Sequence, residues 1–274
     1  MKRISIKKLL AALLALALLF AAAGCNLDLD EEEETTLPDK SAVGNDIADV
    51  VDYYNALIAN VFEGRPSVQA GRWVNTDSIE FVKGGESGPS LDAMNAFAKQ
   101  IKTRFNMDID NNAVPYGEDP GGVFRNVPLD AAADVLSAAF NTKEREGEII
   151  VEDSWFTIAL NDYNYPAPED SVIARLFEAL DPGEFMDEFS KTGSYLEIGA
   201  FEDMLITYTG SKIVVGVDRK TDELWSVTFI KVIEIVAPVK GVGSLAEYGE
   251  LEARVTLSDS TRFDFNWTDP NAEY

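Results

Sequence analysis

The chain has 274 residues, 23 lysines and arginines against 48 aspartates and glutamates, a net charge of −25, one cysteine and no histidine. Without histidine, Ser-His-Asp and Cys-His nucleophile systems and HExxH zinc sites are excluded. The acidic balance repels nucleic acid and anionic surfaces, and a lone thiol makes no internal disulfide, so the fold must be held by its core.

Lys2, Arg3, Lys7 and Lys8 form a basic segment, and Leu9 to Ala23 is an apolar run ending in small residues. This reads as a secretory signal over residues 1–24. The run is shorter than the ~20 apolar residues that a spanning helix needs, and it turns acidic by Asp28. Ala22-Ala23-Gly24-Cys25 resembles a bacterial lipobox, with Ala22 where that motif usually has Leu. The resemblance implies lipidation of Cys25 as the new N-terminus, with two or more acyl chains for stable anchoring. The alternative is an ordinary signal cut at an A-x-A-like site, which leaves Cys25 a stray thiol. The expected location is the cell membrane, lipid-anchored on its extracytoplasmic face.

Residues 25–40, with Glu31 to Glu34 in a row, bury little apolar area and repel one another, so they read as an extended acidic tether. A metal role for this run would need fixed ligand geometry, which a solvated segment lacks. Residues 41–274 then form one domain.

After Asn45 or Asp46 as N-cap, Ile47, Val50, Val51, Tyr54, Leu57, Ile58, Val61 and Phe62 recur at helical spacing, and Gly64-Arg65-Pro66 ends the run. Ser67 to Lys83 reads as β structure, closed by the glycine-rich cluster from Gly84. A second amphipathic helix is predicted from Ser90, with Leu91, Met94, Phe97, Ile101 and Phe105 on one side. Asn106 to Val127 reads as a long loop, Leu129 to Phe140 as a short helix, Glu148 to Leu160 as a strand pair, and Ser171 to Leu180 as a helix.

From Leu196 onward the sequence is strand-like, with "MLITYTG", "KIVVGVD", "LWSVTFIKVIEIVAPV", "LEARVTL" and "RFDFNW" separated by turn residues, which predicts an antiparallel meander. One face is dry, and each large apolar side chain there contributes about 1.5–3 kcal/mol when buried. Trp225, Val227, Phe229, Ile233 and Ile235 share one parity that Lys231 breaks. A bulge there, or a lysine snorkelling at a rim, would accommodate it. The fold class expected is α+β, a curved antiparallel sheet covered by amphipathic helices.

"ADVVDYYNALIANV" and "LITYTGSKIVVGVDRKTDELWSVTF" resemble a family of uncharacterised lipoproteins from Gram-positive anaerobes. That family carries an xxIVxxYNxAxNxV helix and a C-terminal VDxxTGxLxSxT hairpin. Asp218, Thr221, Leu224, Ser226 and Thr228 stand at the matching places, and Asp222 stands where the family usually has Gly. The resemblance implies no known activity. A looser similarity to LolA-like lipid carriers implies a half-barrel around apolar cargo, by analogy of fold.

The remaining motifs carry little chemistry. Lys191-Thr192-Gly193 spells KTG, but no S-x-x-K accompanies it in the mature chain. Gly241 to Ala246 matches G-x-G-x-x-A but leads into another strand, without room for a βαβ crossover. Asp108, Asp110 and Asn112 begin like a calcium loop with Asp119 at the twelfth place, yet Ala113 replaces the turn glycine and Pro115 stiffens the next position. They remain a weak metal candidate beside the reading as an ordinary polar loop. Glu184 with Asp187 or Glu188 could serve acid/base hydrolysis, though such pairs arise by chance among 48 acids.

No catalytic residue and no cofactor is assigned. The leading expectation is a non-enzymatic binding module for an apolar small molecule or lipid. The alternative is a tethered scaffold with a solid core that contacts a cell-surface protein or the cell wall.

Overall fold

The computed structural model describes residues 46–84, 107–145, 148–178, 180, 183, 186 and 196–269. The described residues all fall within one compact unit, Leu37–Tyr274. Cys25, the helix predicted from Ser90, Glu184, Asp187, Glu188 and Lys191-Thr192-Gly193 lie outside the described residues.

Helix α1 (Ile47–Gly64) follows the predicted period and buries Val50, Val51, Tyr53, Tyr54, Leu57, Ile58 and Val61. Its end is set by Arg65, which takes the left-handed conformation (φ 48°) and returns its N–H to the Val61 carbonyl at 3.0 Å. Gly64 is needed for a different reason: a Cβ there would lie 2.5 Å from the Trp267 ring.

The rest is mostly antiparallel strand: β1 (Ser67–Val82), β2 (Met107–Val114), β3 (Val135–Arg145), β4 (Glu148–Leu160), β5 (Tyr163–Asn164), β6 (Leu196–Ile198), β7 (Leu205–Tyr208), β8 (Lys212–Asp218), β9 (Glu223–Gly241) and β10 (Glu250–Asn266). The one other α-helix among the described elements is the short α2 (Val172–Leu176). The main path through the sheet runs β2-β1-β10-β9-β8-β4-β3, so the sheet is open, with β2 and β3 as its edges. Along β9, the first half pairs with β8 and the second half with β7 and β6.

On the dry face, Phe124 is fully buried. Its ring meets Phe263 and Phe265 edge-on at 4.9 and 5.1 Å and stacks with Phe62 and Phe229 at 5.9 and 6.2 Å. Around Phe124 the interior is therefore packed with aromatic side chains. Among the described residues, no helix covers the opposite, outer face.

Four expectations are corrected. The predicted loop from Asn106 contains β2, whose backbone pairs with β1 from Val68 to Val74; pairing to a sheet edge overrides its turn-rich composition. The predicted helix at Leu129 to Phe140 is one turn followed by strand β3. Asp130 there accepts from the Ala132 and Ala133 N–H groups and so caps a single turn, which gives way to strand where Val135 begins to pair with β4. The two C-terminal strands are one, because Ser258-Asp259-Ser260 is buried mid-strand and not a turn. The helix predicted over Ser171 to Leu180 is capped by the Ser171 hydroxyl and stops at Leu176.

Candidate functional site

Two places in this sheet bear on function, although its register also shifts elsewhere, at Thr76/Ser78, Ala70/Arg72 and Val135/Ser137. The first is a charged cluster on its dry face. Lys231 on β9 lies directly opposite Asp259 on β10 in an unbroken register, so no bulge accommodates the lysine and it does not snorkel: it is 3% exposed. Its ammonium sits 3.3 Å from the Asp259 carboxylate and donates to the Glu178 carbonyl at 2.7 Å. Arg72 on β1 grips the same carboxylate through Nε and Nη2, both at 2.8 Å, and reaches Glu178 at 2.9 Å through Nη1.

Burial works against ionisation of Asp259, but the Arg72 hydrogen bonds and the Lys231 charge outweigh it and hold the carboxyl below its ordinary value. Burial pulls Lys231 below the ordinary lysine value. Two cations and two anions balance, which is the condition under which buried charges persist. The cluster fastens Glu178, next to α2, to the sheet. It is closed by its own members, and its geometry is that of a structural clasp. Arg72 and Asp259 have no local sequence signal; the odd parity of Lys231 was the one clue.

The second place is on the outer face, where two strand irregularities converge. On β9 the register with β8 passes from Gly216 opposite Ser226 to Val217 opposite Leu224. Trp225 is the extra residue of that bulge. It therefore leaves the parity of Val227 and Phe229 and turns to the outer face, which corrects its assignment to the dry side. On β4 the register with β3 passes from Phe156 opposite Phe140 to Glu152 opposite Asn141, so Asp153, Ser154 and Trp155 form a second bulge.

Trp155 in turn lies opposite Gly216. The two indoles meet above that glycine, edge to face with ring centres 4.2 Å apart. A Cβ on Gly216 would come within 2.7 Å of Trp225 ring carbons and 3.1 Å of Trp155. Ser226, fully buried at the bulge, keeps a hydroxyl without a partner.

Two residues along β4 from Trp155, at Thr157, begins an open depression of about 460 Å³ lined by Ser137, Ala139, Phe140, Asn141, Thr142, Thr157 and Ala159; neither indole is part of its lining. Thr157 Oγ1 donates to Asn141 Oδ1 at 2.9 Å, which leaves the Asn141 amide NH2 and the Thr142 hydroxyl to serve a ligand. Every one of these lining side chains is uncharged. Tryptophan, asparagine and threonine together offer apolar ring surface and hydrogen-bonding groups, the composition of a binding surface.

A structural device supports the same hairpin from below. Tyr53 of α1 donates its hydroxyl to Asp222 Oδ1 at 2.7 Å, and burial with that bond raises the phenol above its ordinary value. Asp222 has φ 55°, the left-handed conformation a glycine supplies most easily, and the Arg219 guanidinium lies over the Tyr53 and Phe140 rings.

Asp108, Asp110 and Asn112 lie along the extended backbone of β2, not in a loop that could wrap an ion. Asp119 caps the short turn after it by accepting from the Gly121 N–H. Among the described residues, no group of three or more acidic, cysteine or histidine side chains could hold a metal. Gly241 to Ala246 leads into the 3-10 turn Gly243–Tyr248, which joins the antiparallel β9 and β10. No helix in the described residues is long and apolar enough to cross a membrane. In comparisons with family models, curated proteins and solved structures, none matched the chain.

Proposed function

We propose that the chain is a membrane-anchored extracytoplasmic lipoprotein, lipidated at Cys25, whose domain works without catalysis as a tethered binding module. It meets its partner with the outer face of the sheet. The observation that carries this reading is the pair of indoles on one outer face above Gly216, Trp155 placed there by the alternation of β4 with buried Phe156 and Ile158 and Trp225 by the β9 bulge, since a bulge that re-aims a side chain is characteristic of binding sites. The acidic tether and the family resemblance of the α1 and β8–β9 segments accord with it.

The carrier reading, a LolA-like half-barrel around an apolar ligand, draws on the aromatic wealth of the dry face. That wealth is spent on mutual packing around Phe124, which favours the solid-core alternative. Native mass spectrometry of residues 41–274, purified without detergent and followed by solvent extraction, tests the choice. The module reading predicts a clean protein mass; a stoichiometric apolar adduct would overturn it in favour of a carrier.

A further inference from the structure

We infer that the outer-face depression that begins two residues along β4 from Trp155 is, together with the Trp155 and Trp225 indoles, a binding site for a neutral oligosaccharide chain. The inference rests on the module reading and names the chemical class of its partner.

The argument begins with charge. In a chain of 48 acids and 23 bases, the depression is lined by uncharged side chains. The register places charged residues of both signs around it, Lys212 opposite Ala159, Lys143 next to Thr142 and Glu152 opposite Asn141. A lining without a cationic cluster does not select phosphate, sulfate or uronate polymers, which the overall negative charge also repels. A neutral, polar ligand is the class that such a lining matches.

The shape and chemistry of the surface narrow it further. A sugar ring presents C–H groups on its faces and hydroxyls around its rim. Indole rings offer apolar area with little conformational freedom to lose, and their electron-rich faces attract polarised C–H groups. Asn141 and Thr142 supply an amide and a hydroxyl at the same surface, and these groups pair with vicinal hydroxyls as both donors and acceptors. Aliphatic cargo would leave those groups unpaired, at a cost that disfavours it.

The volume of about 460 Å³ lies within the range of small-ligand sites. The depression sits on edge strand β3, so a longer polymer can run past the edge without meeting another strand. The β9 bulge is also difficult to explain by packing alone. It leaves Ser226 with an orphaned buried hydroxyl and sets Trp225 against a position that must be glycine, whereas a regular β9 would bury Trp225 in the core.

The test uses the mature lipoprotein in a zwitterionic detergent that contains no sugar. It is titrated, with tryptophan fluorescence as readout, against neutral oligomers of β-1,4-linked glucose, xylose and N-acetylglucosamine and of α-1,4-linked glucose. At least one is expected to give a saturable change below about 10 mM, weakened about tenfold or more by Trp225→Ala and by Asn141→Ala. Trp155→Phe, which keeps a ring, and Trp73→Phe, on the distant strand β1, are expected to retain binding.

No saturable change with any oligomer would overturn the inference, as would binding that both Trp225→Ala and Asn141→Ala leave intact. Asn141→Ala serves alone if the tryptophan variant does not fold. A clean native mass without oligosaccharide binding would defeat this inference and spare the module reading. An apolar adduct together with Trp225-dependent oligosaccharide binding would do the reverse.

Discussion

Lys231 and Asp259 face each other across β9 and β10 on the dry side of the sheet, 3.3 Å apart, and neither carries its charge into open solvent. Arg72 holds the other side of the same carboxylate, so Asp259 is the anion on which both cations depend.

Asp259→Ala should therefore be among the most damaging substitutions in the domain. It leaves two buried cations without their shared partner, which predicts a loss of about 3–5 kcal/mol. Replacing Arg72, Lys231 and Asp259 together by Leu or Met should be far milder, because desolvation is then relieved along with the pairing. Urea denaturation of both variants checks this; a loss in Asp259→Ala no larger than that of the triple variant would contradict it.

The same carboxylate gives an acid limb. Its folded value lies below the ordinary 3.8, so its contribution is fully present above the unfolded value and is lost as pH falls through the folded one. Lys231, drawn down by burial, acts at alkaline pH: between its folded value and 10.5 the unfolded chain binds more protons, and stability rises with pH. Asp259→Asn should flatten the acid limb below the ordinary carboxylate value relative to the wild type. Parallel acid limbs in the two proteins would refute the assignment.

These partners show what the sequence could convey. The α1 helix, β1 and the β8–β9 hairpin were legible because a period or a turn marks each of them locally. The edge strands β2 and β3 were not, since one is rich in turn residues and the other in alanine, and both owe their state to pairing. Ser258-Asp259-Ser260 looked like a break in β10 because the partners that make a buried aspartate tolerable lie on other strands. Trp225 followed the alternation of its neighbours, and only the offset between Gly216 and Val217 puts it on the other side. The odd parity of Lys231 was a true signal, and its resolution lay in an ion pair, not a bulge.

Gly216→Ala tests the tryptophan arrangement from its base. The new methyl would fall 2.7 Å from Trp225, so the indoles must move or the strand must shift, a strain of about 1–3 kcal/mol. Thermal unfolding should report the loss, and acrylamide quenching should report greater tryptophan exposure. An unchanged melting temperature with unchanged quenching would show that the indoles do not rest on this glycine.

Tyr53→Phe should cost about 1–3 kcal/mol by leaving the buried Asp222 carboxylate without its phenol donor. Asp222→Gly removes the same bond but relieves the positive φ, so its loss should be the smaller of the two. In a double-mutant cycle the combined variant should fall short of the sum of the single losses. Strict additivity would mean that the hydroxyl and the carboxylate do not act together.

The claim that the outer face is the working surface is tested most directly by footprinting with a small carbene reagent, on intact cells carrying the lipoprotein and on the purified protein. Trp155 and Trp225 should be labelled less on cells than in isolation, while Leu205, 59% exposed on β7, should be labelled equally in both. Equal labelling of the two tryptophans in both settings would contradict the account, because a binding surface in use is a covered one.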